Sequence, residues 1–460
     1  MGTLSASLNI AVSSMLAEQG AVATTTNNIA NANTPGYSRQ VANLEEAGVL
    51  HVGQLTFGTG VRLASVSSLR DSVLDLRVNQ ETQQQGQLQG FLQAGNQLQV
   101  LFNEASSTGL QSPLSAFFNS FSQLSASPSN LTARQNVITS AQNLASAFNQ
   151  TSNNLSTLRQ NTDVAVQQSV SQINSFIAQI ATANQQVQAA SFSGQNPGPF
   201  VDQRQQLMSQ LSNYIGFSEI DAGDGTLTLT AANGSALVAG GLSFALTTQT
   251  NPSTNCQDIY SNGLDITSQI TGGQLAGQIQ IRDQEIPSLQ TSLDALAYNL
   301  ESTVNTQHKA GFDLNGDAGA NLFTPLTQQQ GAAANISVTI TDPAKIAASG
   351  TAGTGNAGDN TNANALLALQ NQNIVDEQSP LGFYSNLVFR IGNDVSTAQT
   401  NETAGTQVLQ QLQNLQGGAS NVGINEEAAN LVRFQNAYES SAQVVSVINS
   451  LLQTTINMVS

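Results

Sequence analysis

Residues 131–193 contain neither glycine nor proline, and this run constrains the fold more than any other feature of the chain. Those two residues are the strongest helix breakers, so a run of this length without them favours helix throughout. Within it Val166, Val170, Ile173, Ile177, Ile180 and Val187 keep a three-four spacing that lines one helical face. Read as a single rod, the run is about 95 Å long at a rise of 1.5 Å per residue. A break near Gln160 to Asp163 is the alternative. Asn184 takes one seam position, where a polar side chain fixes register at some cost in stability. Further helical patterns cover 88–102, 289–304 after Pro287, 363–375 and 408–415, so an elongated helical bundle is expected.

The two ends of the chain share a second pattern. Leu8, Met15, Val22 and Ile29 recur every seven residues, with Leu4 and Ala11 beside them. Leu431, Tyr438, Val445, Leu452 and Val459 repeat in the same way, flanked by Phe434, Ile448 and Ile456. A seven-residue apolar repeat marks a narrow helical seam that packs on another helix. The charged residues that usually flank such seams are nearly missing, and Ser, Thr, Asn, Gln and Ala stand in their place, which suits close packing among many helices. Two helices with so few apolar contacts are expected to be marginal alone, because ordering their backbones costs more than one narrow seam returns. Both ends are therefore expected to be largely disordered in the monomer and to fold among neighbouring copies.

The pattern changes from about 217 to 246. Thr226-Leu-Thr-Leu-Thr alternates with period two, Asn233-Gly234 is a hairpin dipeptide, and Gly240-Gly241 is a further turn. Ile279-Gln-Ile281 and Ile336-Ser-Val-Thr-Ile340 read as additional strands. The stretch 350–364, rich in Gly, Asn and Thr, reads as a loop returning to the bundle. The expected fold is mainly α with a smaller β domain, in a nested multidomain order. Residues 1–40 and 425–460 form a terminal helical, coiled-coil layer; 41–216, 284–312 and 360–424 form the elongated bundle; 217–283 and 313–359 form a small discontinuous β domain.

Composition removes several functions. The 460 residues carry 12 basic and 29 acidic side chains, a formal charge of −17. A surface this acidic repels nucleic acid and anionic lipid, so neither nucleic acid nor a membrane is expected as a partner. No apolar run is long enough to span a bilayer. The N-terminal region has no basic segment ahead of a compact apolar core, its first arginine being Arg39, so if the protein leaves the cell it must use a route that reads no cleaved signal peptide. Cys256 is the only cysteine and forms no internal disulfide.

Sites for catalysis, cofactors or metals are not expected. His51 and His308 lie far apart and belong to no His-Glu-x-x-His motif, and with Cys256 they give no metal-ligand spacing. Each histidine reads as a surface or packing residue. Asp313-Leu-Asn-Gly-Asp317 resembles a calcium loop only at its start: the sixth position is Ala318 rather than Gly and the twelfth is Thr324 rather than Glu. Glu426 and Glu427 open the last helix, where negative charge complements the helix dipole.

Four segments carry a family resemblance. Asn27-Asn-Ile-Ala-Asn-Ala-Asn-Thr-Pro-Gly-Tyr-Ser-Arg-Gln40 resembles the N-terminal signature of the flagellar rod, hook and hook-associated family. Its turn motif is Asn31, Pro35, Gly36 and Tyr37: the helix ends in Asn-rich sequence, Pro presets φ, Gly accepts positive φ, and Tyr37 anchors the outgoing chain. The ending Tyr37-Ser-Arg-Gln40 is similar to the hook-associated branch more than to rod or hook subunits. Gly58-Thr-Gly-Val-Arg-Leu with Arg70-Asp-Ser-Val-Leu, Asp202-Gln-Arg-Gln-Gln-Leu with Asp224-Gly-Thr, and Ile424-Asn-Glu-Glu-Ala-Ala-Asn-Leu-Val-Arg-Phe-Gln-Asn-Ala-Tyr438 resemble later blocks in the same order. Larger members often carry an outer domain between their β segments; the interval 323–336 is too short for one here.

The resemblance implies a structural adaptor between the hook and the next hook-associated ring on the filament side. It implies a ring or helical homo-oligomer, unfolded export through the flagellar type III apparatus, and a cytoplasmic chaperone on the C-terminal helix. Leu8, Met15, Val22, Ile29, Leu431, Tyr438, Val445 and Leu452 would then be assembly-interface residues. The rival readings are another flagellar axial subunit (hook, rod or flagellin-like) and a secreted adhesin or binding module.

Overall fold

The computed structural model describes residues 2–52, 55–102 and 109–459. Helix α1 (Gly2–Asn31) leads into two antiparallel hairpin pairs, one inside the other. Strand β1 (Gln40–Glu46) pairs with β4 (Val61–Ser68), and β2 (Val49–Val52) pairs with β3 (Leu55–Gly58). Helices α2 (Ser72–Leu101), α3 (Gln111–Ala126), α4 (Leu131–Phe192) and α5 (Gly198–Ser212) follow. Then come β5 (Phe217–Asp221), β6 (Leu227–Ala231), β7 (Ala236–Ala239) and β8 (Leu242–Ser243) as an antiparallel meander. A second antiparallel sheet holds β9 (Leu246–Thr250), β10 (Gln257–Ser261) and β11 (Leu264–Asp265). The chain ends in α6 (Gly273–Gln280), α7 (Ile286–Lys309), the short α8 (Ala332–Asn335), α9 (Thr361–Ala368), α10 (Pro380–Ser420) and α11 (Ile424–Val459).

The long run without breakers is one helix of 62 residues, unbroken at 160–163. Asn130 caps its start, accepting from the Thr132 and Ala133 amides at 2.8 and 3.2 Å. Gly194, at φ +68°, ends it: the Gln195 amide returns to Ala190 O and the Gly194 amide to Ser191 O, a Schellman closure.

This helix is the spine of two cores. Its first half, through Val137, Ile138, Leu144, Phe148 and Leu155, packs with Phe117 and Phe121 of α3, Leu293 and Leu300 of α7 and Tyr384 of α10. Its second half, through Val166 to Ile180, packs with Met208 and Leu211 of α5 and with Leu229, Val238 and Ile259 from the sheets. Asn184 is wholly buried and joins the β5–β8 sheet to Arg204 of α5. It donates to Leu227 O and Gly240 O and accepts from the Leu227 amide and Arg204.

Two strand expectations are corrected. Residues 279–281 are helical, because Leu275, Ile279, Ile286 and Leu289 continue one buried helical stripe, and a short apolar alternation fits either period. Pro287 has no amide to offer the carbonyl a turn earlier, and the helix accommodates it by widening into a π turn at Ile281–Glu285. Residues 336–340 contribute one isolated bridge, Phe323 to Val338, and Ile336 and Ile340 sit in the helical core. The strands at 217–265 and the segment 313–359 thus pack at different levels of α4.

Residues 40–68, read by sequence as the start of the bundle, instead fold back as hairpins on α1, with Leu63 lying against Gly20. Another close approach joins α2 to α6: a Cβ on Gly90 would lie 2.2 Å from Gln274 O, and one on Gly277 would lie 2.1 Å from Gln87 O. Only glycine permits that backbone contact.

Candidate assembly site and its anchoring node

Helices α1 and α11 pack together along their length, antiparallel, with Asn28 near the end of one beside Glu427 at the start of the other. The residues expected at the interface line this seam incompletely. Leu8, Met15, Val22 and Ile29 are half-buried, as are Leu431, Tyr438, Val445 and Leu452, while Ile448 is buried. The Val459 side chain lies outside the described residues. On α1 the buried positions are small or polar: Ala11, Ala17, Ala21, Thr24, Thr25 and Asn28. Ala17, Ala21, Thr24 and Asn28 form the stripe suited to close contact with the hairpins. Large apolar side chains remain bare on the outer faces, among them Leu16 at 64% exposure, Val447 at 58% and Met458 at 81%. Val444, Val447, Leu451 and Met458 form a second heptad-spaced stripe on α11, beside the one facing α1.

The four segments read separately in the sequence converge where this pair meets the bundle. Thr34 to Tyr37 close a turn, the Tyr37 amide reaching Thr34 O at 3.2 Å with Gly36 at φ +78°. Proline second and a positive-φ glycine third give a type II turn. A side chain on Gly36 would also strike Gln206, whose amide donates to Pro35 O at 2.9 Å. Asn31 donates back to Asn27 O at 3.0 Å and accepts from Thr34 Oγ1.

Asn28 is the centre of the node. Its Nδ2 donates to Gln40 O at 2.8 Å and to Glu427 Oε2 at 2.9 Å. Its Oδ1 accepts from Tyr37 Oη at 2.8 Å and from the Gln40 amide at 2.9 Å. All four hydrogen-bonding positions of the carboxamide are filled, at 1% exposure. Burial, then the carboxylates of Asp202 and Glu427, push the Tyr37 phenol up to about 12, so it stays a donor.

Arg39 and Arg70 extend the node in two directions. Arg39 bridges to Glu427 at 2.8 Å and Glu426 at 2.7 Å, and its amide donates to Ser420 O of α10 at 2.8 Å. Burial pulls the Arg39 pKa down, but the bonds to both glutamates outweigh it and hold it above its ordinary value. Arg70 donates to Ser38 Oγ at 2.9 Å, to Asp202 of α5 at 3.2 Å and to Asp75 of α2 at 3.2 Å. Asp202 also accepts from the Ser38 amide at 3.0 Å. Burial raises the Asp202 pKa, offset in part by Ser38 and Arg70. Gln416 of α10 donates to the other Asp75 oxygen. A polar cavity of about 410 Å³ lies beside the node, bounded by Pro35, Arg70, Asn79 and Asp202.

Sequence reasoning gave Glu426 and Glu427 only a dipole role. Their pairing with Arg39 was missed, and the one available signal was that all three fall inside segments of the same family signature. His308 is wholly buried, with Nδ1 2.6 Å from Ala320 O and Nε2 accepting from the Ala347 amide at 2.9 Å. His51 is exposed on a hairpin, beside Thr56. Cys256 is buried. Asp313 accepts from the Asn315 and Asp317 amides and pairs with Lys345. Among the described residues no group of His, Cys, Asp and Glu could hold a metal ion, and no helix is long and apolar enough to cross a membrane.

Comparison with known proteins gives one consistent answer. A family model described as the flagellar hook-associated protein FlgK helical domain matches residues 95–323. Models of the flagella basal body rod protein and of the flagellar basal body rod FlgEFG protein C-terminal match 8–37 and 418–458. Flagellar hook-associated protein 1 of Escherichia coli is 28% identical, covering 99% of this chain and 100% of the relative. That alignment spans 550 positions against 460 residues here, so the relative carries segments this chain lacks. The Bacillus subtilis protein of the same name is also 28% identical, over 98% of this chain and 97% of its own. The flagellar hook junction protein FlgK of Burkholderia pseudomallei shares the fold, with a TM-score of 0.66 at 18% identity over 74% of this chain and 99% of that one. The chain belongs to the flagellar hook-associated protein 1 family.

Proposed function

We propose that this protein is the structural adaptor that joins the flagellar hook to the filament. The observation that carries the reading is the node at Asn28, which fixes a terminal helix pair with bare apolar faces against a rigid bundle. Such a unit can present α1 and α11 to neighbouring copies while the bundle holds their direction. Leu8, Met15, Val22, Ile29, Leu431, Tyr438, Val445 and Leu452 are the contact residues of that layer. Pro35, Gly36 and Tyr37, with Asn31 behind them, set the exit angle from terminal pair to bundle.

Residues 1–40 and 425–460 form the polymerising layer, and the bundle and sheets lie outside it. The protein contacts hook protein on one side and the next hook-associated protein on the other, in a ring or helical array of its own copies. It reaches that place by type III export without a cleaved signal peptide, and a cytoplasmic chaperone covers the apolar faces of α11 beforehand. It works by assembly and performs no catalysis. The test is a deletion strain viewed by electron microscopy with its culture medium assayed. Bare hooks with flagellin shed into the medium are expected; normal filaments would refute the reading.

A further inference from the structure

Charge is almost absent from the terminal helices, which makes the few exceptions informative. Glu18 is the one charged residue of α1, and Arg433 is the one basic residue of α11. The two feel each other's charge across the pair, yet no ion pair joins them within the chain. One Glu18 carboxylate oxygen is buried with no hydrogen-bond partner. Arg433 is exposed and lays its guanidinium over the Phe434 ring, 4.7 Å from the centroid. An unpartnered buried carboxylate oxygen is costly, and a stacked, exposed guanidinium retains donors to give.

The internal register explains the mismatch. Asn28 sits level with Glu427, so in the antiparallel pair Glu18 sits level with residue 437. Arg433 falls a turn short of that level, about 6 Å along the axis at 1.5 Å per residue. A neighbouring copy displaced by one helical turn would bring its own Arg433 level with Glu18.

We propose that Glu18 of one copy pairs with Arg433 of a neighbouring copy when the terminal helices assemble, and that this ion pair sets the axial register between copies. The inference rests on the assembly reading above. A seam of aliphatic and small residues slides readily by a turn or a heptad, because each shift replaces one apolar contact with another. A single complementary charge pair in such a seam penalises every register but one. A second copy is the fitting occupant, since it brings the complementary base on the same apolar surface.

The test uses the full-length chain as the sole copy in motile cells. Glu18→Arg and Arg433→Glu are each expected to lower the fraction of hooks bearing filaments about tenfold or more, and the double exchange to restore it. Separately, Glu18→Cys with Arg433→Cys, in a Cys256→Ala background, is treated with a short bis-maleimide on assembled flagella. A ladder of covalent multimers on a denaturing gel is expected. Single variants that match wild type, a double exchange no better than the singles, no cross-link, or a cross-link confined to the monomer would each overturn the inference. None of these outcomes touches the adaptor reading, which fails only if the deletion strain still carries filaments.

Discussion

Asn28 shows how one side chain can orient two helices. Its carboxamide bonds the Gln40 backbone, Tyr37 and Glu427 at once, so no smaller residue can replace it. Asn28→Ala leaves a buried Gln40 carbonyl and amide without partners, at about 1–3 kcal/mol per orphaned group. The expected result is faster proteolysis within residues 32–40 of the purified protein, with the α4 cores unchanged; wild-type resistance would count against the node. His308 offers a pH readout. Burial lowers its pKa from the ordinary 6.5 to about 4, so the folded core holds it neutral. Its contribution is complete above about pH 6.5 and declines as pH falls towards 4, by roughly 3 kcal/mol at the limit. Urea unfolding of wild type and His308→Gln between pH 7 and 4 should show the wild-type advantage shrinking with acid. A constant difference would contradict the buried neutral imidazole.

At the level of elements, α4 is held to the π turn by Arg282. This side chain is wholly buried and pairs with Asp163 and Asp283, each at 2.7 Å, while donating to Gln257 O of β10. One guanidinium thus ties the middle of the long helix to the second sheet and to the widened helix after α6. Arg282→Met strands Asp163 with little water and is expected to cost about 3–5 kcal/mol, read as a lower midpoint in thermal unfolding. An unchanged midpoint would mean the tie contributes nothing. Period was the legible quantity in these elements. Long runs such as 131–192 carry many turns of one repeat, so their helices stand out. The alternation at 279–281 was too short to separate strand from helix, and Pro287 disguised a helix that continues through a π turn. The hairpins at 40–68 escaped notice because they rest on α1 by one face and show solvent polar and apolar residues alike, Val49 and Phe57 among them. The node stayed invisible for another reason. Its bonds join residues as far apart as Asn28 and Glu427, and no local pattern encodes which arginine meets which carboxylate.

For the molecule as a whole, charge and apolar exposure are segregated. The chain carries −17, yet α1 holds one charged residue and α11 four. Charge is therefore carried by the bundle and sheets, and the terminal surfaces proposed to meet are nearly neutral and partly apolar. Val445→Asp places a carboxylate in that layer, far from both cores. It should leave the unfolding of the monomer bundle unchanged while abolishing filament attachment; normal filaments would argue against the interface. Beyond the Asn28 node, the terminal pair leaves half of each apolar stripe bare and is expected to hold its shape only among neighbours. Amide hydrogen exchange on dilute monomer measures this directly. Strong protection is expected along 137–187 of α4 and little across 8–22 and 438–452, beyond the node; firm protection of those terminal stretches in the solitary chain would contradict the expectation.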